Sequence, residues 1–364
     1  MEKKKIGIIT IHTDFNYGAV LQAVATQKFF EINGYDSEII DYENKVISQQ
    51  SKICYKQGGK IKGYFISFVR NTLFGRYHYY KKAVENLDLY RKKSKEKYNS
   101  LEELEMSPYD ILVAGSDQIW NPLISGELDP VFLLDFGKEK KKISVATSMG
   151  SYTLSDSERR KFKNTLEDFE CISVRENHAK RQLQPLVKKD IKVLLDPTLL
   201  LDKNAWWNNL GKNSKYSLKK ERYIVTYFVG GNKNKYRQKI KEYADKLQLP
   251  VWTIQYSNYY WKESNKKILG ASIADFIALI KNADLVLTDS FHGVAFSVNL
   301  GIDFVALTNT ENPIRVKEFL TKIELEERID MSSDTYTSID YEDVSRKIEL
   351  MRKDSAEWLL NAIQ

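Results

Sequence analysis

Cysteine is scarce in this chain: its 364 residues include two, Cys54 and Cys171, which lie far apart in the sequence. Two distant thiols give neither a disulfide framework nor a thiolate metal site, a pattern typical of proteins in a reducing compartment. The four histidines show no metal-ligand spacing. We therefore expect a cytoplasmic protein without a metal cofactor.

Long hydrophobic runs are also missing. No stretch approaches the roughly 18 apolar residues of a membrane span. The apolar part of the basic start, MEKKKIGIITIHTD, is broken by His12 and Asp14 before it could form the core of a signal peptide. The sequence also lacks a GxxxxGK(S/T) phosphate loop, a GxGxxG dinucleotide fingerprint and a GxSxG nucleophile elbow. These absences argue against ATP, NAD and serine-hydrolase chemistry.

Positive charge is present but concentrated in one segment. The formal net charge is +7, and residues 51–100 contain thirteen Lys or Arg and three Asp or Glu, which gives 13 − 3 = +10 there and 7 − 10 = −3 elsewhere. None of the usual nucleic-acid reader patterns accompanies this charge, so we expect no nucleic-acid partner. The segment also carries ten Tyr or Phe residues and is predicted to form helices on an insertion.

Two interpretations of this insertion remain open. In IKGYFISFVRNTLFGRY, the cations Lys60, Lys62 and Arg70 lie off one helical face, as in a helix that rests on a membrane surface. That face is formed by Ile61, Tyr64, Phe65, Phe68, Thr72 and Phe74. Residues 51–100 would then make peripheral contact with an anionic membrane at its inner, cytoplasmic face. In the alternative, the aromatic residues pack on the first domain and the lysines form a solvated rim.

The rest of the chain alternates between short apolar runs and segments of helical period. KKIGIITI, AVLQAVATQKFFEING and DSEIIDY are typical of strand, helix and strand, and the alternation restarts at RYIVTYFVGG. Strands separated by helices of this length favour parallel sheets with right-handed crossovers. The pattern predicts an α/β protein of two Rossmann-like domains. Residues 1–201, with the insertion at about 45–108, form the first, and residues 202–364, ending in a C-terminal helix, form the second.

Polar residues beside glycines follow five of the predicted strands, in HTDFNYGAVLQ, GSDQIWNP, TSMGS, RENHA and TDSFHG. Open α/β sheets bind ligands at the carboxyl ends of their strands, and a cleft between two domains would collect these clusters. The candidate substrate-binding residues in them are Asn16, Gly18, Ser116, Trp120, Asn121, Ser148, Thr288, Ser290 and Gly293.

Five segments in this order resemble the polysaccharide pyruvyl transferases: NYGAVLQA, VAGSDQIWNP, SVRE, LLDPTLLL and TDSFHGVAFSVNLG. The likeness spans residues 6 to about 307. It implies two domains that face a central cleft, similar to the glycosyltransferase B type. It also implies transfer of a pyruvyl group from phosphoenolpyruvate to two hydroxyls of an oligosaccharide or lipid-linked glycan, giving a cyclic ketal. Phosphoenolpyruvate would be the donor substrate, and no cofactor is implied.

Phosphoenolpyruvate carries a phosphate and a carboxylate, so its site needs positive charge and hydrogen-bond donors. Arg175 after the strand CISV and His292 at the start of a predicted helix are the main catalytic candidates, because a helix N-terminus also favours an anion. Some family members carry a basic residue further along, and Arg315 is its stand-in here. Alternatively, Arg175 forms a surface ion pair and His292 is a half-buried neighbour of a helix cap.

The reaction also needs an acid or a base, and the candidate carboxylates at the strand ends are Asp14, Asp117 and Asp289. Trp120 and Asn121 offer the aromatic face and the amide that suit a sugar. A buried Trp120 and a turn-forming Asp117 are the structural alternatives.

Two rival functions remain. A nucleotide-sugar glycosyltransferase of the same fold would need a carboxylate that holds the donor ribose, a role open to Glu318 or Glu324. A non-enzymatic glycan-binding protein would use the strand-end residues only to line its cleft. Release of phosphate from phosphoenolpyruvate separates these alternatives.

Overall fold

Two parallel sheets organise the protein. The computed structural model describes residues 4–14, 16–50, 65, 68–69, 71–73, 75–229, 236–256, 262–308 and 314–364. The first sheet has the strand order β3-β2-β1-β4-β5, and β6 and β7 extend it beyond β5 through isolated bridges. Its strands are β1 Lys5–Ile9, β2 Asp36–Tyr42, β3 Lys93–Tyr98, β4 Ile111–Ala114, β5 Lys141–Ser144, β6 Ile172–Val174 and β7 Ile191–Val193.

The second sheet repeats this arrangement with the order β10-β9-β8-β11-β12, and all its strands are parallel. Its strands are β8 Ile224–Tyr227, β9 Val251–Gln255, β10 Lys266–Leu269, β11 Leu285–Thr288 and β12 Phe304–Ala306. In both sheets the strand order reverses beside the first strand, which is where open α/β sheets leave a ligand crevice.

Helices connect the strands in each half. Those of the first half are α1 Tyr17–Ile32, α2 Lys45–Gln50, α3 Arg76–Val84, α4 Leu101–Glu105, α5 Pro122–Ser125, α6 Asp156–Leu166 and α7 Asn177–Leu183. Those that follow are α8 Lys203–Asn209, α9 Arg237–Leu247, α10 Ile273–Lys281, α11 Phe291–Leu300, α12 Ile314–Lys322 and α13 Tyr341–Ile363.

Helix α1 explains how the two halves meet. Its sequence is apolar nearly all round, and thirteen of its residues are buried, as expected of a helix with neighbours on every side. Asn16 caps its N-terminus, and the hydroxyl of Tyr17 donates to the carbonyl of Ala271 in the second half at 2.7 Å. One continuous apolar cluster therefore includes residues of β1, α1, α10 and α11.

The two-domain α/β architecture is confirmed, but the insertion is not helical throughout. Residues 93–98 form the edge strand β3, which pairs in parallel with β2. Lys93 and Lys97 of this strand form ion pairs with Asp41 of β2 and with Glu43 just after it. These lysines therefore pair with the neighbouring strand and do not lie on the surface of a helix. Charged residues are common on edge strands.

The change from one sheet to the other falls between β7 and β8, and the boundary at residues 201 and 202 stays a prediction. Within the described ranges, none of the helices combines the length and the apolar character needed to cross a bilayer.

Candidate active site

Asp196 lies at the centre of the site, in the turn that follows β7. Its Oδ1 atom accepts hydrogen bonds from the backbone N–H of Thr198 at 3.0 Å and from the Thr198 hydroxyl at 2.7 Å. Its Oδ2 atom accepts a hydrogen bond from Nη1 of Arg175 at 2.6 Å and lies 3.4 Å from Nε2 of His292. This buried carboxylate therefore connects the end of β6 with the start of α11.

Arg175 follows β6 and is almost fully buried. Its Nη2 atom lies 3.7 Å from Oδ1 of Asp117, and its Nε atom lies 3.7 Å from Oε2 of Glu176, which is too far for a hydrogen bond. Neither nitrogen has a hydrogen-bond partner among the described residues. The guanidinium lies 4.8 Å from the ring centre of Phe291. Buried donors are normally paired, so these two N–H groups are available to a ligand.

His292 occupies the first turn of α11, where the hydroxyl of Ser290 caps the helix by accepting from the N–H of Gly293 at 3.3 Å. The imidazole is buried, and its Nε2 atom has no hydrogen-bond partner in the described part of the chain. The backbone of Gly18 lies directly against the ring, since a Cβ there would come within 1.9 Å of Nδ1. The first turns of α1 and α11 thus meet at the histidine.

A pocket of about 320 Å³, counting its open mouth, lies beside this cluster. It carries three cationic side chains, Arg175, Arg315 and Lys322, of which the last two come from α12. The other residues that line it are Glu176, Leu194, Leu195, Asp196, Phe291, Glu318 and Phe319. Both halves of the protein therefore contribute to a small, charged pocket.

The charges around the pocket perturb one another. Burial disfavours the ionised form of Asp196, but His292 and Arg175 hold the pKa of its carboxyl well below the usual range. Burial raises the pKa of Glu176, against the opposing effect of Arg175 and Arg315. Burial and the nearby Arg175 lower the pKa of Arg315. Two desolvated guanidinium groups at one pocket favour an anion between them.

Five of the residues singled out in the sequence come together here: Arg175, His292, Arg315, Asp117 and Gly18. Asp117 has a left-handed backbone with φ of 69°, and its carbonyl accepts a hydrogen bond from the N–H of Ser148 at 2.9 Å. This turn brings its carboxylate towards Arg175. Asp117 is thus both the turn former of the structural alternative and a neighbour of the site.

Several predicted substrate-binding residues use their polar groups within the protein. The hydroxyls of Ser116 and Thr288 donate to the carbonyls of Ala146 and Tyr227, at 2.8 and 2.6 Å. The Ser148 hydroxyl donates to Oε1 of Glu176 at 2.9 Å. These bonds fix the loops after β4, β5 and β11, and direct contact of these three hydroxyls with a substrate stays a prediction.

Trp120 does not reach the cleft, so the expectation that its face binds a sugar was wrong. The side chain is completely buried, and its Nε1 atom donates to the carbonyl of Phe132 at 3.1 Å. Its ring packs edge-on against Phe162 and Phe169. Asn121, next in sequence, caps α5 by accepting from the N–H of Leu123 at 3.0 Å.

Asn16 and Asp289 lie away from the cluster around Asp196. Asn16 connects the two halves of the protein, and Asp289 binds the backbone after β8. Oδ1 of Asn16 accepts from the N–H of Gly18 at 2.9 Å and from the hydroxyl of Tyr227 at 3.2 Å. Oδ1 of Asp289 accepts from the N–H of Val229 at 2.7 Å. Burial and Tyr17 raise the pKa of Tyr227, and the carboxylates of Asp289 and Asp14 add to this effect. A catalytic role for Asp289 stays a prediction.

The chain that forms this charged pocket also matches a known family in sequence. The profile of the polysaccharide pyruvyl transferases matches residues 16–311. The chain belongs to the polysaccharide pyruvyl transferase family. The resemblance seen in the five ordered segments is thereby confirmed, and the family is one of transferases. No curated protein sequence matches the chain significantly.

Solved structures show the fold of this pyruvyl transferase family member. The UDP-GlcNAc 2-epimerase of Neisseria meningitidis is 8% identical with a TM-score of 0.56, and 99% of each chain is covered. A glycosyltransferase of Rickettsia africae is 12% identical with a TM-score of 0.51, and 100% of each chain is covered. The UDP-GlcNAc 2-epimerase of Methanocaldococcus jannaschii is 14% identical with a TM-score of 0.50, covering 100% of this chain and 99% of the other. The predicted glycosyltransferase B-type architecture is confirmed.

Sequence reasoning missed three residues of the site. Asp196 belongs to the segment LLDPTLLL, which contributed to the resemblance, but its role depends on partners from two other segments. Glu176 directly follows Arg175 in RENHA and was not among the candidate residues. Lys322 lies eight residues into a helix without a distinctive motif, and no local signal marks it.

Proposed function

We propose that this protein transfers the pyruvyl group of phosphoenolpyruvate to a hydroxyl pair on a glycan, forming a cyclic ketal and releasing phosphate. Family membership supports a transferase that modifies a polysaccharide. The observation that carries the donor assignment is the buried guanidinium of Arg175 in the pocket lining, whose Nε and Nη2 atoms have no hydrogen-bond partner in the described part of the chain.

The donor matches the chemistry of the pocket. Phosphoenolpyruvate is small and carries two anionic groups, and the pocket offers the cations of Arg175, Arg315 and Lys322. A planar carboxylate matches the fork of a guanidinium, which can donate two parallel hydrogen bonds. The phosphate would bind near His292, because the N-terminus of α11 favours an anion there.

The side chains around the pocket then divide the work of the transfer. His292 binds the departing phosphate and can give it a proton. Asp117 lies on the other side of Arg175 and is the proposed base for an acceptor hydroxyl. Asn16 and Gly18 lie at the start of α1, which meets His292 through Gly18, and we assign them to the acceptor. We propose that the transfer needs neither a metal ion nor a nucleotide.

The rival glycosyltransferase function finds less support. Glu318 accepts hydrogen bonds from the N–H groups of Asn177 at 2.7 Å and His178 at 3.3 Å, so its carboxylate binds the start of α7. Glu324 is largely exposed and pairs with Lys347 at 2.9 Å. Neither carboxylate is placed as a free ribose ligand. The epimerase and glycosyltransferase likenesses concern the fold alone.

We also propose that the insertion contacts an anionic membrane on its cytoplasmic side, where a lipid-linked acceptor would lie. Phe65, Phe68 and Leu73 are exposed by 72%, 49% and 78%, and Lys81 and Lys82 on α3 are exposed as well. We call these five residues the basic aromatic surface. Exposed apolar side chains and exposed lysines in one segment suit an anionic bilayer. Thr72 of the predicted membrane face is exposed as well. The other members of that face and its cations lie outside the described residues, namely Lys60, Ile61, Lys62, Tyr64, Arg70 and Phe74.

Calorimetric titration with phosphoenolpyruvate tests the donor assignment without knowledge of the acceptor. The wild type should bind phosphoenolpyruvate, and His292→Ala and Arg175→Lys should each weaken binding at least about tenfold, as loss of a charge-assisted contact does. Lys241→Gln is the matched control, because this cation lies on α9 and pairs only with exposed Asp245. Binding of UDP or UDP-GlcNAc without binding of phosphoenolpyruvate would contradict the proposal.

A further inference from the structure

The proposed reaction leaves one proton without a donor. The methylene carbon C3 of phosphoenolpyruvate must become a methyl group, so a proton has to reach it from a group at the pocket. Arg175 and Arg315 hold anions in the proposed arrangement, and His292 serves the phosphate. A further acid is required, and a carboxyl group can serve only if it is protonated before the transfer.

The two carboxyl oxygens of Glu176 have different hydrogen-bond surroundings. Its Oε1 atom accepts three hydrogen bonds from one turn: from the Ser148 hydroxyl at 2.9 Å, the N–H of Met149 at 2.9 Å and the N–H of Gly150 at 3.1 Å. This is the environment of a carbonyl oxygen. Its Oε2 atom accepts none from the residues that the structure describes, although the side chain is 1% exposed.

The donors to Oε1 come from outside the pocket lining, which leaves Oε2 as the oxygen that can serve a ligand. Glu176 lines the pocket, whereas the three residues that donate to Oε1 do not. The nearest cationic nitrogen to Oε2 is Nε of Arg175, at 3.7 Å, which is beyond hydrogen-bond distance. An ionised Oε2 would be a buried acceptor without a donor, whereas a protonated Oε2 would present its O–H to the pocket.

The surrounding charges are mixed. The charged groups that line the pocket with Glu176 are Arg175, Asp196, Arg315, Glu318 and Lys322. Burial raises the pKa of Glu176 and outweighs the two arginines and the hydrogen bonds from Met149 and Ser148, all of which lower it. A bound phosphate and carboxylate would neutralise the arginines and raise the pKa further.

We propose that Glu176 is the acid that protonates C3 of phosphoenolpyruvate. This inference rests on the proposed function. The O–H bond at Oε2 breaks and the C=C electrons form a new C3–H bond, which leaves an oxocarbenium centre at C2. An acceptor hydroxyl oxygen attacks C2 and loses its proton, phosphate leaves, and the second hydroxyl attacks in the same way. Asp117, the proposed base, takes up the two hydroxyl protons in turn. One is passed on to Glu176, which regenerates the acid, and the other reaches the departing phosphate through His292, so the atoms and charges balance.

The test compares Glu176→Gln with the wild type in three measurements. Gln keeps a carbonyl for the three donors but has no acidic proton, so we expect phosphoenolpyruvate affinity within about threefold and turnover lowered at least about 100-fold. The wild-type rate should fall as pH rises through the pKa of the acid. The residual rate of the variant should not show this decrease. In D₂O, the wild-type product should carry one deuterium in its ketal methyl group.

Controls keep the two proposals separable. Glu170→Gln makes the same charge change at an exposed ion pair with Lys141, just before β6, and should leave the rate unchanged. If Glu176→Gln does not fold, Glu176→Asp replaces it. Its carboxyl group lies one bond further from the substrate, so turnover should fall at least about tenfold. Wild-type turnover together with an unchanged rate or pH profile in these variants overturns the role of Glu176. A wild type that neither binds nor consumes phosphoenolpyruvate overturns the proposed function instead.

Discussion

Replacement of Gly18 by alanine tests the contact between the two halves of the protein at the candidate site. The new Cβ would lie 1.9 Å from Nδ1, 2.1 Å from Cγ and 2.6 Å from Cβ of His292. Ordinary contacts of a Cβ begin at 3.4 Å, so α1 or the imidazole must move by about 3.4 − 1.9 = 1.5 Å.

The sign of the stability change decides whether this contact is real. Overpacking of this kind lowers the free energy of unfolding by about 1–3 kcal/mol. On an unhindered helix, alanine in place of glycine would instead raise it by up to about 1 kcal/mol. Displacement of the imidazole should also lower turnover by about 100-fold, since misplacement by about 1 Å has effects of that size.

Urea unfolding of Gly18→Ala in three backgrounds measures the effect. The destabilisation should be largest with His292 present and smaller in His292→Ala, where only the contact with Cβ remains. It should disappear in His292→Gly. A Gly18→Ala protein that is as stable as the wild type, or a cost that is equal in all three backgrounds, would refute the contact and the closed arrangement of the site.

Three further predictions concern charge. Asp196→Asn should lower the free energy of unfolding by about 3–5 kcal/mol at pH 7, because it leaves buried Arg175 uncompensated. Since the native pKa of Asp196 is depressed, the wild type loses this stabilisation as pH falls below about 5, and the gap between the two urea titrations should narrow there. Burial and Arg91 lower the pKa of His12 to about 3, so its folded form resists protonation. Stability should therefore fall by up to about 1.4 kcal/mol per pH unit as pH drops from about 6.5 towards 3, and an unchanged slope in His12→Gln would contradict this. The protein should sediment with anionic vesicles at low salt, and replacing the phenylalanines and lysines of the basic aromatic surface with Ser and Gln should abolish this. If the wild type does not sediment with the vesicles, the membrane proposal is wrong and the insertion serves packing alone.

Elements with regular apolar patterns could be predicted from the sequence. β1 and α1 carry an unbroken apolar run and a capped helical period, and both formed where the pattern placed them. β3 could not be found in this way, because KSKEKY has no apolar run and its order comes from pairing with β2. Trp120 misled for a related reason: a large aromatic residue beside a polar turn looks exposed until the packing of α6 over it is known.

The site could be predicted in part. Arg175 and His292 stood out because each follows a strand end with a polar neighbour, which is a local signal. Asp196, Glu176 and Lys322 have no such signal, since their roles arise only when distant segments come together. The close approach of Gly18 to the histidine is likewise a property of two helices from different halves.

Turnover of phosphoenolpyruvate with glycan acceptors tests the central claim most directly. Purified protein should be incubated with phosphoenolpyruvate, lipid-linked or soluble oligosaccharides and EDTA, with phosphate release and the ketal methyl signal followed together by NMR. The proposed function requires phosphate and ketal in equal amounts, with the rate lost in His292→Ala. Consumption of a nucleotide sugar by the wild type, with phosphoenolpyruvate left intact across the acceptors, would contradict it.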